Sequence, residues 1–225
     1  YGSPSIPKVL NNISFNIKKS KITAIVGHSG SGKTTLMKIL LRFYNPSEGE
    51  INFNGNNILN ISPKKLRETI GTVLQDGFIF SETIERNIAT DEDDINEEKL
   101  NKALKIACID DFVNTLPLKQ KTVIGSVGNG LSSGQKQRIL IARAIYKDPE
   151  IIFLDEATSV LDAKTEKNIH ENLNYFYKNK TVLIIAHRLS TVKNADKIIV
   201  LDSGEIAEIG SHYELINKKG IYYDL

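Results

Sequence analysis

Apolar residues follow two rhythms along this chain. Short runs stand at residues 21–26 (KITAIV), 50–53 (EINF), 70–74 (IGTVL), 150–154 (EIIFL), 181–186 (TVLIIA) and 197–201 (KIIVL). Several carry no polar face, which is the pattern of strands covered on both sides in a parallel sheet. Elsewhere the period lengthens to that of a helix, at residues 34–44 (TTLMKILLRFY), 95–107 (INEEKLNKALKIA) and 134–146 (GQKQRILIARAIY). Strands alternating with helices predict an α/β fold with a mostly parallel sheet, and antiparallel strands are expected near the N-terminus. From residue 77 to 149 the strand signal stops. That stretch predicts an inserted α-helical subdomain, leaving residues 1–76 and 150–225 as the core subdomain.

Local chemistry refines the boundaries. Asp202-Ser203-Gly204-Glu205 reads as a tight turn between two strands. Ser211 and Glu214 have the spacing of a capping box for a late helix. The acidic run at residues 91–94 is expected at the front of a helix, where carboxylates meet the positive end of the dipole. Hydrophobic residues at 40% and charged residues at 25% suit an ordinary packed protein and exclude a disordered chain. The 29 Lys and Arg nearly balance 27 Asp and Glu, so charge indicates no nucleic-acid partner. A single cysteine, Cys108, excludes an intrachain disulfide and suits a reducing compartment, and a small apolar role is expected for it. No apolar run approaches the roughly 20 residues that cross a bilayer. The chain opens on Tyr1 without an initiator methionine or a signal-peptide pattern, and it reads as an excised domain.

Two segments carry candidate chemistry. GHSGSGKT, from Gly27 to Thr34, stands between a predicted strand and a predicted helix and fits the phosphate-loop pattern. Glycines there permit a tight turn whose backbone N–H groups crowd around phosphate oxygens. Lys33 is expected on the outer phosphates and Thr34 on Mg2+, with the helix N-terminus aimed at the anion. His28 occupies a variable position, where its side chain is expected to be a bystander. The second segment is IIFLDE (151–156), an apolar strand ending in two carboxylates at the edge where such sheets bind ligands. Asp155 is expected to hold Mg2+, and Glu156 to orient or deprotonate the attacking water.

GNGLSSGQKQRILIARAIYKDP (128–149) resembles the ABC ATPases, whose signature is LSGGQ followed by QRxxxARA. Here the signature is Leu131, Ser132, Ser133, Gly134 and Gln135. The resemblance covers almost the whole chain and implies a phosphate-loop NTPase (RecA-like) core that binds ATP and Mg2+. ATP then falls to Tyr1, stacked on adenine, and to Gly27, His28, Ser29, Gly30, Ser31, Gly32, Lys33, Thr34 and Thr35. Gln75 in VLQD matches the Q-loop, with a catalytic and a metal contact implied beside those of Thr34 and Asp155. Asp162 in SVLD (159–162) matches the D-loop, and His187 in IIAHRLS the switch histidine that joins Glu156, Gln75 and Lys33 in catalysis. Ser132 before a long amphipathic pattern also reads, on physical grounds, as an N-cap whose exposed N–H groups suit a phosphate. In this family that signature closes over ATP held by another subunit, which implies a head-to-tail dimer with a second nucleotide-binding domain. His170 and His212 match no motif and are expected at the surface.

Segments 42–55, 78–88 and 186–215 resemble exporter nucleotide-binding domains fused to membrane helices. A transmembrane domain as partner, a position on the cytoplasmic face of the membrane, and no nucleic acid are thereby implied. Leu74 before Gln75 and GQKQR after the signature look most like bacterial peptide and bacteriocin exporters. Two other readings stay open: a soluble ABC ATPase of the repair or translation type, and a non-hydrolysing regulatory domain. Against the first, Lys33 and Asp155 are about 120 residues apart with no heptad array between them. Against the second, Glu156 and His187 are intact. Ser133 departs from the glycine usual at the signature's third position, and tolerance is expected there. Ser126 stands where exporters commonly have a glutamate, so the coupling contact is expected to differ.

Overall fold

The computed structural model describes residues 8–90, 92, 94–125, 128, 130–158, 160–186 and 189–225. Strand β1 (Ile22–Val26) runs into α1 (Lys33–Leu40), and a small antiparallel pair follows, β2 (Asn52–Phe53) with β3 (Asn56–Asn57). Next come α2 (Pro63–Thr69) and β4 (Ile70–Val73). Four helices occupy the middle of the chain: α3 (Ile84–Ile88), α4 (Glu97–Ile106), α5 (Asp110–Thr115) and α6 (Ser133–Tyr146). After them stand β5 (Ile151–Asp155), α7 (Ala163–Phe176), β6 (Thr181–Ile185), α8 (Leu189–Val192), β7 (Lys197–Asp202), β8 (Glu205–Gly210), α9 (His212–Lys218) and α10 (Ile221–Asp224). Six strands form one sheet in the order β4-β5-β6-β1-β7-β8. The fold is α/β with a mostly parallel sheet, as the alternation of periods predicts. The expected strand at 50–53 shortens to β2.

Backbone contacts divide the chain into two units, one of Tyr1–Ile70, Phe153–Asp155 and Thr181–Leu225, the other of Gly71–Ile152 and Glu156–Lys180. In the first, β1 pairs in parallel with β6 on one side and β7 on the other, while β8 runs antiparallel to β7. Ala24, Ile25, Val182, Leu183, Ile198, Ile199, Val200 and Leu201 are sealed from solvent. Each large aliphatic residue so buried contributes about 1.5–3 kcal/mol relative to exposure, which is why these strands read as unbroken apolar runs. The β7–β8 turn has positive φ at Ser203 and Gly204, the geometry of a type I′ hairpin, as expected of that sequence. Ser211 and Glu214 form the expected capping box at the start of α9. Behind them, the buried Glu208 carboxylate accepts the backbone N–H of Tyr222, whose hydroxyl lies 2.7 Å from His212 Nδ1. His212 is therefore half-buried rather than a surface residue.

In the second unit, α6 packs against α3 and α4. Asn87, on α3, has no exposed surface. Its Oδ1 accepts from the Phe80 N–H, and its Nδ2 donates to the carbonyls of Phe80, Glu82 and Thr83. Arg143 of α6 adds hydrogen bonds from its guanidinium to the carbonyls of Asn87 (2.7 Å) and Phe78 (3.0 Å). Irregular backbone at 78–83 is satisfied partly in this way and partly by an antiparallel bridge from Thr83 to Val123 with the Ile124 N–H on the Glu82 carbonyl. Cys108, read as a small apolar residue, is half-buried with φ +52°; its sulfur accepts from Asn172 Nδ2 at 3.3 Å, and burial pushes the thiol pKa up. The acidic run does not head a helix. Asn96 caps α4, with Glu97 and Glu98 in its first turn, and Glu92 accepts the Tyr146 hydroxyl instead; Asp91 and Asp93 lie outside the described residues.

Asn87→Ala leaves the Phe80 N–H without its acceptor and removes a second donor from the carbonyls of Phe80, Glu82 and Thr83, each of which keeps a backbone N–H. A loss of about 2–4 kcal/mol is expected, or roughly 5–12 °C in Tm, measurable by thermal unfolding.

Candidate functional site

The segment after β1 is shaped by the strand beside it. At Gly27 φ is +150°, and a Cβ there would stand 2.0 Å from the Leu201 carbonyl oxygen of β7, so any side chain collides with backbone. Gly32 caps α1 in the left-handed region without a side-chain hydrogen bond, and the first intrahelical bond is Leu36 N–H to the Gly32 carbonyl. The N–H groups of the first turn precede that bond, and Gly32 supplies no capping side chain. They sit at the positive end of the helix dipole.

Lys33 is 5% exposed, and its ammonium donates to the carbonyls of Gly27 (2.8 Å) and His28 (2.9 Å), with Ser31 Oγ at 3.5 Å. The long side chain is thereby folded over its own loop. His28, Ser29, Gly30 and Thr34 are exposed, Thr35 and Gly32 half-buried, and Ser31 buried. Exposed backbone and a buried cation in one short loop make an anion site. The loop is braced from the β7–β8 turn, where the Gly204 N–H donates to the Ser31 carbonyl (3.2 Å). The Gly204 carbonyl in turn accepts the Asn11 N–H at 2.8 Å, and Asn11 Nδ2 reaches Glu205 Oε1 at 2.7 Å. A single residue, Gly204, ties the loop to the N-terminal segment through its N–H and its carbonyl, a role that the turn sequence by itself did not reveal.

Asp155 ends β5 in the same unit, 2% exposed. Glu156 follows, half-buried, with φ +50°. A non-glycine residue in that region costs on the order of 1–3 kcal/mol and persists where surrounding structure dictates it. Beyond it, Thr158 is buried and donates to Glu166 Oε1 at 3.1 Å, with His170 Nε2 at 3.4 Å. His170, expected at the surface, is half-buried, and desolvation holds its pKa below the usual value against the pull of Glu166. Sequence reading missed this group, although Glu166 and His170 have the i,i+4 spacing of neighbours on one helix face.

Other predicted residues fall in the helical unit. Gln75 is exposed in the turn after β4. Ser132 caps α6, and its hydroxyl accepts the Gln135 N–H at 3.2 Å while Gln135 Oε1 accepts the Ser132 N–H at 2.9 Å. This capping box was legible as Ser-x-x-Gln. Leu131 and Gly134 are half-buried. Ser133 is exposed in the first turn with ordinary helical backbone, so serine meets no conformational penalty there. Asp162 caps α7 by accepting the Thr165 N–H at 3.0 Å, a bond that holds its carboxyl below the usual range. Tyr1, Ser126, Ser159 and His187 lie outside the described residues.

Comparison with known proteins places this geometry. The ABC transporter family pattern matches residues 10–159, which hold the phosphate loop, the signature and β5. The chain belongs to the ABC transporter family. This ABC chain is 46% identical over 220 residues to the leukotoxin translocation ATP-binding protein LktB of Mannheimia glucosida. It is 47% identical to the leukotoxin export ATP-binding protein LtxB of Aggregatibacter actinomycetemcomitans. Each alignment covers 97% of the chain and 31% of the relative, so the chain spans about a third of those proteins. A bacterial Atm1-family ABC exporter solved with ATP bound superposes at a TM-score of 0.93 and 40% identity, covering 100% of this chain and 39% of that one.

Lys33→Ala is expected to abolish nucleotide binding, because phosphate charge would then face backbone dipoles alone. Titration calorimetry with Mg-ATP reads this directly, and undiminished affinity would show that the loop is not the phosphate site.

Proposed function

We propose that this ABC chain is the ATP-binding and ATP-hydrolysing motor domain of an exporter. The observation that carries the reading is the phosphate loop, with Lys33 buried over its own carbonyls beside the uncapped first turn of α1. An ATP-bound exporter of nearly identical chain path and relatives named for leukotoxin export support it. Residues 27–35 hold the triphosphate, Lys33 reaches its outer phosphates, and Tyr1 stacks on adenine.

Thr34, Gln75 and Asp155 are the Mg2+ residues. Their donors are a hydroxyl, an amide oxygen and a carboxylate, an all-oxygen set of the kind this hard cation takes together with phosphates and water. When bound, Mg2+ offsets the phosphate charge that develops during transfer. Glu156 accepts a proton from the attacking water, and Gln75 and His187 orient the water and the terminal phosphate. The signature, Leu131 to Gln135, offers the exposed start of α6 to ATP held by a second copy or a related domain, and Asp162 lies beside that junction. Partnership with a transmembrane domain at the cytoplasmic face follows from the exporter reading. No helix among the described residues is long and apolar enough to cross a membrane, so the cargo is chosen by other helices.

Dimer contacts bridged by ATP imply a mainly monomeric chain without nucleotide, and light scattering with and without Mg-ATP tests this. Glu156→Gln keeps the size of the side chain but removes the charge that takes a proton. Turnover should fall by roughly 10²- to 10⁴-fold while ATP binding is retained and the ATP-held dimer becomes more complete. Phosphate release and light scattering on the same samples measure both effects. Parental turnover in the variant would remove Glu156 from the chemistry.

A further inference from the structure

Thr158 stands two residues beyond Glu156, in a turn fastened to α7 at more than one point. Its hydroxyl has one proton to give, and gives it to Glu166 Oε1 at 3.1 Å. The oxygen keeps a lone pair for a donor, and His170 Nε2 lies 3.4 Å away. Neutral imidazole protonated at Nε2 completes a chain from His170 through Thr158 to Glu166 in which each group is satisfied. Burial favours that neutral imidazole. The Thr158 carbonyl accepts the Leu161 N–H at 3.2 Å, and Asp162 then caps α7 at the Thr165 N–H.

These bonds follow directly on Glu156, which among the described residues of the candidate chemistry is the one non-glycine residue with positive φ. Left-handed φ at Glu156 is unfavourable on its own, so something in its surroundings must oppose relaxation. Thr158 is 6% exposed, which means that its hydrogen bonds meet little competition from water. We propose that Thr158, held by Glu166 and His170, is a positioning residue: its buried hydroxyl fastens the turn to α7 and keeps the Glu156 carboxylate aligned for the attack of water. The inference rests on Glu156 being the base.

Thr158→Val removes the hydroxyl at constant shape, and Thr158→Ser keeps it. Steady-state phosphate release at varied Mg-ATP, on the parent and both variants, separates kcat from KM. A misaligned base should cost Thr158→Val about 10- to 100-fold in kcat with KM within about twofold, and Thr158→Ser should recover to within about threefold of the parent. Parental kcat in Thr158→Val, a matching rise in KM, or failure of the serine variant to recover would overturn the proposal. If Thr158→Val does not fold, His170→Leu takes its place, and a kcat loss of at least about threefold at unchanged KM supports the inference, while parental kcat overturns it. Glu156→Gln run in parallel separates the two levels. If that variant turns over like the parent, the base assignment fails; if it is inactive while Thr158→Val is fully active, the positioning role alone fails.

Discussion

Backbone must come within reach of an anion without a side chain in the way, and the first unit is organised around that demand. At Gly27 the loop presses so closely on the Leu201 carbonyl that the position admits no Cβ. At Gly32 the helix begins without a side-chain cap. Backbone arranged this way is held partly from within the loop and partly by neighbouring structure. Lys33 closes over the loop carbonyls, and Gly204 fastens Ser31 through its N–H and Asn11 through its carbonyl. The parallel pairing of β6, β1 and β7, whose apolar residues are buried, holds the strand ends that carry these attachments.

The helical unit meets a different demand, that of irregular backbone paired only through one isolated bridge, Thr83 to Val123. Asn87 and Arg143 satisfy the carbonyls of the 78–83 segment from α3 and α6. The helix that carries Arg143 near its end carries the signature at its start, where Ser132 and Gln135 cap each other. Ser133 carries no backbone strain, because the first turn of a helix calls for no special φ, unlike the glycines of the phosphate loop.

After β5 the two carboxylates stand in contrasting surroundings. Asp155 is buried within the strand, on regular backbone. Glu156 leaves it through a left-handed turn whose far end is bound to α7 by Thr158 and Asp162. The two adjacent carboxylates thus stand on different backbone, regular at Asp155 and left-handed at Glu156.

Much of this was present in the sequence. Strand and helix periods follow from which faces are buried, phosphate-loop spacing from the backbone chemistry of an anion site, and the caps at Ser132 and Ser211 from side chains bonding within one turn. All are local, so a reading of a few consecutive residues captures them. The acidic run misled such a reading because Glu92 is satisfied by Tyr146, more than fifty positions away in the chain. His170 and His212 looked like surface residues because their partners, Thr158 and Tyr222, are supplied by other turns of the fold. Gly204 looked like a turn glycine and nothing more, since its two peptide partners, Ser31 and Asn11, come from the far end of the sequence. The sequence by itself determined the elements, the phosphate loop and the family, whose signals lie within short segments. Only the tertiary structure decided which buried hydrogen bonds brace that loop and the Glu156 turn, because those bonds join groups that the chain order keeps apart.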